Sequence, residues 1–333
     1  MNYVLDEYTL DGTFVRHIFT NNFHCTNQTW KLLYANNQEL IFYVEDYDLG
    51  NYLYTVPLML ADGSSFPQMK KAKKICKCNK ELEEPRQGDV YADSDYIVYQ
   101  DGMYQIHVYD RKKKTFVKIK DIPETNMYLS GLVGKYFILS SKPYKEKGKE
   151  KYAFSYYKIG SDQIHIMDPA CYTSEAAIGD KKRKQVIYAL RKGIWTYDLK
   201  QDKKKRLVKW NKKDYVSEMC IRKDRLFVFT GEKDEVYSYS LTGKEKQLHY
   251  EKELTETLKK FEQQNDLELV IDSVDVVNNK ICIHSWQDDE YLIYLCYDPA
   301  TKQLKKVRKS DPEMFCFLLC RDGASVDEWD RDE

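Results

Sequence analysis

Two stretches of the chain place carboxylates beside aromatic rings: Glu45-Asp46-Tyr47-Asp48 and Trp286-Gln287-Asp288-Asp289-Glu290. Aromatic faces attract cations and C–H surfaces while carboxylates take hydrogen bonds, so these clusters suit a sugar or a lysine-bearing peptide. Asp46, Tyr47, Asp48, Trp286, Asp288 and Asp289 are therefore the candidate ligand residues, although acidic turns also arise simply because Asp favours turns and solvation. Catalytic chemistry is harder to assemble. The six histidines (His17, His24, His107, His165, His249 and His284) fall mostly in strand-like runs, and no Gly-x-Ser-x-Gly elbow accompanies them. His107 and His165 alternate with apolar neighbours and read as satisfied strand histidines. No phosphate-binding glycine loop, His-x-x-x-His pair or EF-hand spacing is present. No catalytic residue, cofactor or metal is assigned. Cys76 and Cys78 give a C-x-C pair without the second Cys or His pair that zinc needs.

Nine cysteines are too many and too scattered for a small-domain disulfide framework. Cys220, Cys282, Cys296, Cys316 and Cys320 sit in apolar runs, where a thiol behaves as a small buried hydrophobe. The 53 basic and 53 acidic side chains cancel, which excludes a general electrostatic coat for nucleic acid or anionic membrane. Mean hydropathy is −0.68, yet 42% of residues are hydrophobic and 14% aromatic, so the chain can bury a core. No apolar run approaches the ~18 residues of a membrane-spanning helix. Localisation stays open between cytoplasm, which fits the sequence as it stands, and an exported, lipid-anchored origin with a trimmed N-terminal signal.

The elements that must position these residues are announced by repetition. A short aromatic strand, a turn of Asp, Gly or Lys, and a basic-aliphatic strand recur seven times. The copies are Tyr3–Ile18, Tyr52–Leu58, Ile106–Ile119, Phe154–Lys158, Ile194–Asp198, Val236–Ser240 and Leu292–Asp298. Their spacing of roughly 40 to 55 residues is the period of a four-stranded propeller blade. Intervening pairs such as Val274–Val277 and Ile281–His284, split by Asn278-Asn279, read as the first two strands and their tight turn. The sequence thus predicts an all-β, seven-bladed β-propeller, with six or eight blades as the adjacent counts. One domain is expected over 1–333, with a helical insertion at about 251–264. Tyr3–Ile18 supplies only the third and fourth strands of a blade, so the termini are expected to share one. Met314–Cys320 is the apolar strand from the other end, and 324–333 reads as a poor strand.

On these residues a resemblance can be stated. Ile194-Trp-Thr-Tyr-Asp-Leu199 resembles the YWTD-type repeat of low-density-lipoprotein-receptor propellers. Tyr8-Thr-Leu-Asp-Gly-Thr13 is similar to the hairpin of related bacterial propellers and of the TolB type. The likeness covers the chain as a rhythm and implies blade architecture. It places no calcium or peptide site on any residue here.

In a propeller, ligands sit where the second-to-third-strand loops emerge. These are expected at 20–28, 46–51, 100–102, 141–150, 191–193, 230–234 and 285–290, which include both acidic-aromatic clusters. The lysine runs 111–114, 203–206 and 305–306 fall on outer hairpins, where lysine discourages edge-to-edge pairing. In the predicted helix, Leu254, Leu258 and Phe261 recur at i, i+4 and i+7. That stripe either packs on the propeller's own sheets or docks a partner protein. The function expected is a non-enzymatic, monomeric binding module for a peptide, protein or glycan, without nucleic acid. The alternative is a polysaccharide-acting hydrolase or lyase using loop carboxylates.

Overall fold

The computed structural model describes residues 2–331 apart from 10–13, 21–27, 36–38, 47, 49, 58–72, 78–89, 102–104, 120–126, 142–143, 147–148, 172–176, 191–192, 210–213, 243–246, 278, 288–290, 311–318 and 322–323. It contains seven antiparallel sheets, each essentially a four-stranded meander. The fold class is the all-β, seven-bladed propeller expected from the repeats. The chain divides into two compact units, one holding residues 25–58 and 68–211, the other 1–24, 59–67 and 212–333.

The first unit holds four sheets. Their second and third strands are Glu39–Asp46 with Gly50–Pro57, Tyr96–Gln100 with Ile106–Asp110, Tyr136–Ser141 with Lys149–Lys158, and Gln185–Leu190 with Gly193–Asp198. These strands are buried on both faces, so the period of two divides each between two neighbours. Ile97 and Tyr99 pack with Ile41, Tyr43 and Leu53 of the preceding sheet. Val98 and Val108 point the other way, onto Leu129, Phe137 and Leu139 of the next. Phe154 and Tyr156 in turn join Val186 and Tyr188 of the fourth sheet. Polar staples reinforce the stacking. Buried Gln100 donates to Met127 O at 2.6 Å and accepts from Leu129 N at 3.0 Å. Arg111 clamps Glu39 through both guanidinium nitrogens, a charge-assisted fork between the first two sheets.

A recurrent Asp closes three of the outer hairpins. Asp110 Oδ1 accepts from Lys112 N and Lys113 N, and Asp198 Oδ1 from Lys200 N and Gln201 N, all within 3.0 Å. Asp298 does the same for Ala300 N at 2.9 Å. The turns end on a left-handed residue (Lys114, Asp202 and Lys302) that returns the chain to the sheet. Asn279 takes the positive φ expected of its turn, at 62°.

The second unit holds three sheets. In one, Asn2–Thr9 pairs with Ala324–Arg331 along eight residues and with Phe14–Thr20, while Leu319–Arg321 completes the sheet. The termini therefore share a blade as expected. One detail is corrected: residues 324–331, read as a poor strand, form a full one because Asn2–Thr9 supplies its partner. Of the apolar strand expected at Met314–Cys320, residues 314–318 lie outside the described residues, and Leu319–Arg321 is a strand. Arg222 Nε donates to Asn279 O at 2.5 Å, linking the sheets Val216–Tyr250 and Val270–Ser310.

The sheet beginning at Val216 has an outer strand of only two residues, His249–Tyr250. Helix α1 (Lys252–Asn265) takes over its work. Glu251 N donates to Val236 O at 2.9 Å, and Val236 N donates to Thr255 Oγ1 at 3.0 Å. Leu254 and Leu258 are buried and Phe261 packs beside them, against Phe227, Phe229, Ile293 and Tyr297. The apolar stripe is thus covered within its own unit, and the helix turns charged residues outward.

Two stability outcomes follow. Phe137, fully buried and stacked on Tyr157 at 5.0 Å, should cost about 3–5 kcal/mol as Phe137→Ala, against well under half that for the exposed Phe116→Ala, in urea unfolding. Deleting residues 2–19 removes two strands of the shared sheet and should abolish cooperative unfolding. A truncated chain that keeps its melting transition would contradict the shared blade.

Candidate functional site

Of the expected ligand residues, Asp46, Asp48 and Trp286 are among those the structure describes. Asp46 ends the strand Glu39–Asp46 and Asp48 is exposed in the turn before Gly50. Trp286 lies in the strand Lys280–Gln287 and is the register partner of Val270. Tyr47, Asp288 and Asp289 lie outside the described residues. The two clusters belong to different units and are taken separately.

The second unit holds a recess of about 460 Å³ lined by Asp234, Glu262, Gln263, Asp266, Leu267 and Glu268. Three local devices build it. The first is the loop 230–235, which joins the second and third strands of its sheet. Buried Asp214 holds this loop from outside, its Oδ1 accepting from Glu232 N at 2.8 Å and its Oδ2 from Lys233 N at 3.0 Å. Thr230 Oγ1 accepts from Glu235 N at 3.0 Å across the loop's base. Asp234 is left in the left-handed region at φ 50°, a conformation Asp and Asn tolerate.

The second device is the end of α1. Asp266 stops the helix in a left-handed cap, its N–H bonded to Glu262 O. Glu262 also reaches forward, its Oε1 accepting from Leu269 N at 3.0 Å, which sets the exit path of 266–269. The third is the neighbourhood of Gly231. A Cβ there would fall 2.1 Å from the Tyr215 ring, so glycine lets that exposed ring lie on the loop.

The electrostatics of the recess run against ordinary helix design. A helix C-terminus carries partial negative charge and favours lysine or arginine. The last turn of α1 has no basic residue and instead brings Glu262 and Asp266 to the same place. Burial, followed by the Glu262 carboxylate, pushes the Asp234 pKa up to about 7; Lys259 opposes this, while Glu268 and Asp214 add to it. Asp234 thus holds its proton up to neutrality. The recess concentrates negative charge, and a cation entering it would release that proton.

The first unit has a different cleft, of about 370 Å³, bordered by Lys77, Tyr99, Gln105, His107 and Phe116. His107 stacks on Tyr99 at 4.8 Å, and its Nε2–H donates to Asp101 Oδ2 at 2.7 Å. Asp101 Oδ1 also accepts from Gln105 N at 2.8 Å, so the carboxylate closes the loop and orients the ring together. His107 is a satisfied strand-end histidine, as its alternation suggests. His165 likewise stacks on Tyr156 at 4.8 Å.

Asp234, Glu262 and Glu268 were not singled out by sequence. Asp234 did fall in an expected ligand-side loop, but nothing local signalled the approach of a helix end 28 residues later. Among the described residues, no cluster of three or more His, Cys, Asp or Glu side chains is arranged to hold a metal ion. No described helix is long and apolar enough to cross a membrane.

No family model matches the chain, and no curated protein does. Solved structures match over most of its length. A prolyl endopeptidase, from work on inter-domain dynamics in two such enzymes, aligns with TM-score 0.53 at 13% identity, covering 89% of this chain and 45% of that one. Oligopeptidase B from Leishmania major aligns at 0.52 and 10% identity, covering 89% and 43%. A puromycin-hydrolyzing peptidase from Mycobacterium tuberculosis aligns at 0.52 and 8%, covering 84% and 46%. The chain spans less than half the length of each of these peptidases. The nidogen/laminin complex structure is matched with TM-score 0.44 at 10% identity, covering 93% and 94%. At these identities the likeness is one of fold.

The raised pKa of Asp234 has a measurable consequence. Its carboxyl is neutral in the native state until about pH 7 but ionises near 3.8 when unfolded, so native stability falls as pH rises from about 4 to 7. Asp234→Asn removes that loss and keeps a residue suited to positive φ. Its melting midpoint should exceed wild type at pH 8, and the gap should close towards pH 4.

Proposed function

We propose that this chain is a binding module, a propeller of YWTD-like or TolB-like kind, that takes a basic segment of a peptide or protein in the acidic recess. The observation that carries this reading is the burial of Asp234 beside the Glu262 carboxylate, at a helix C-terminus that has no basic residue, which together raise its pKa to about 7. Such an arrangement costs stability unless a cation relieves it. Apolar surface lies alongside, because Val270, two residues beyond Glu268, is 57% exposed and Tyr215 is 52% exposed. A lysine or arginine side chain with an apolar neighbour matches both features. In this reading Trp286, the register partner of Val270, stays a candidate ligand residue of this unit together with Asp288 and Asp289. The acidic-aromatic run Asp46-Tyr47-Asp48 of the first unit is, in this reading, a separate candidate for ligand contact.

The same raised pKa favours a second reading, in which Asp234 is the general acid of a polysaccharide-cleaving enzyme and a neighbouring carboxylate its partner. Turnover of a polysaccharide panel, lost in Asp234→Asn, would select it.

The binding reading is tested by calorimetry with a set of lysine- and arginine-bearing peptides at pH 6 and pH 8. A bound cation competes with the Asp234 proton, so affinity should rise with pH and level off above 7. Removing one negative charge in a partly buried site is worth roughly tenfold in affinity, so Glu262→Gln should weaken binding by about that factor at pH 8. Peptides that bind wild type and the Glu262→Gln, Glu268→Gln variant equally, or none that bind at all, would reject the recess as the site.

A further inference from the structure

In the sheet Val270–Ser310, Cys282 and Cys296 are direct register partners on adjacent antiparallel strands. Residues opposed in this way have Cα atoms about 4.5 or 5.5 Å apart and side chains on one face, and both spacings fall within what a disulfide spans. Both side chains are buried, at 1% and 4% exposure, and the Cys296 thiol is hydrogen-bonded to that of Cys282. The other described thiols lack such an arrangement. Cys76 stands opposite Leu53, and Cys220 opposite Phe227.

We propose that Cys282 and Cys296 are a latent cross-strand disulfide, closed by thiol–disulfide exchange while this sheet folds and sealed from further exchange once it has folded. The oxidant is an external disulfide of the glutathione or dithiol-protein class. One thiol loses its proton and its thiolate attacks the external disulfide, whose S–S bond breaks and releases a thiolate. The second cysteine, deprotonated in turn, attacks the mixed disulfide and expels the other half. Two protons and two electrons leave the cysteine pair, and the oxidant ends as two thiols. Burial selects the moment. The thiolate is the reactive species, and an apolar, water-excluded setting disfavours it while keeping the oxidant away. In the opening or forming sheet both restraints are absent, whereas the register that opposes the two residues is being laid down. The cross-link would pin the strands Lys280–Gln287 and Tyr291–Asp298 to each other, independently of what the recess binds.

The test uses the full chain, unfolded with reductant and then diluted into a buffer of reduced and oxidised glutathione. Digestion without reduction, read by mass spectrometry, should find the Cys282–Cys296 linked peptide as the dominant disulfide, with the intact mass lower by about 2 Da. Native protein held in the same buffer for the same time should form under a tenth as much. Cys282→Ser should abolish the linked peptide and leave Cys296 carrying glutathione. The Cys282→Ala, Cys296→Ala double variant, refolded and melted in parallel, establishes that folding survives without the pair. Oxidised wild type should melt a few degrees above its reduced form. Refolded chains with both thiols unlinked, disulfides spread over other cysteines without excess of this pair, or native protein that closes as fast as refolding protein would each overturn the proposal.

Discussion

In the sheets whose burial is described, the middle strands are largely buried on both faces, and most of the molecule's other features follow from that constraint. A half-exposed strand alternates apolar with polar residues, whereas here successive residues serve successive neighbours. Tyr99 packs backward and Val98 forward; Tyr156 packs forward while Tyr157 turns to Phe137 behind it. No such sheet can be stable alone, because half of its apolar surface belongs to the next one. Polar atoms in these strands must find partners across the stack, which explains why Gln100 and Arg111 bond to the adjacent sheet. Lysines collect on the outer strands, where Lys203, Lys204 and Lys205 are exposed and edge pairing must be discouraged.

The acidic recess stands out against the other buried and turn carboxylates described above. Elsewhere carboxylates meet donors: Asp110, Asp198 and Asp298 cap turns, Glu39 meets Arg111, and Asp214 accepts three backbone N–H groups. Asp202 accepts from both Tyr156 and Tyr197, and those hydrogen bonds hold its pKa below the usual carboxylate range. Asp234 shows the opposite shift, and its largest Coulombic partner is another acid. Violations of local electrostatic preference tend to sit at functional sites, where a ligand supplies what the protein lacks.

The fold was legible because its period is written in residue chemistry. The recurrent Tyr-Asp pair marks the end of a third strand, since that aspartate is needed to cap the turn that follows. Asn279 marks a turn that demands positive φ. The site was less legible for a physical reason. Asp46, Asp48 and Trp286 were visible because their chemistry is concentrated in a few consecutive residues. Asp234 and Glu262 stand 28 residues apart, and only the docking of α1 brings them together. The signal that could have found them was the helix itself, amphipathic and acidic at the end where a basic residue belongs. The strand 324–331 was missed for a related reason, because its strand character comes from the partner Asn2–Thr9 and not from its own propensity.

The way α1 is attached determines how firmly the walls of the recess are held. A helix held only by an apolar stripe could slide or lift, and its terminal carboxylates would then relax into solvent. This one is fixed at its start by backbone and hydroxyl bonds to Val236, and by Glu251, which accepts from Ser238 while Arg225 donates to the same hydroxyl at 2.7 Å. Leu254 and Leu258 anchor its middle, and Glu262 ties its end to Leu269. The loop that carries Asp234 is fixed independently by Asp214 and Thr230. Both walls of the recess are therefore held by groups that do not line it, apart from Glu262 itself. Charges held in place by such supports cannot move apart to relieve their repulsion, and that rigidity is what the proposed binding of a cation would draw on.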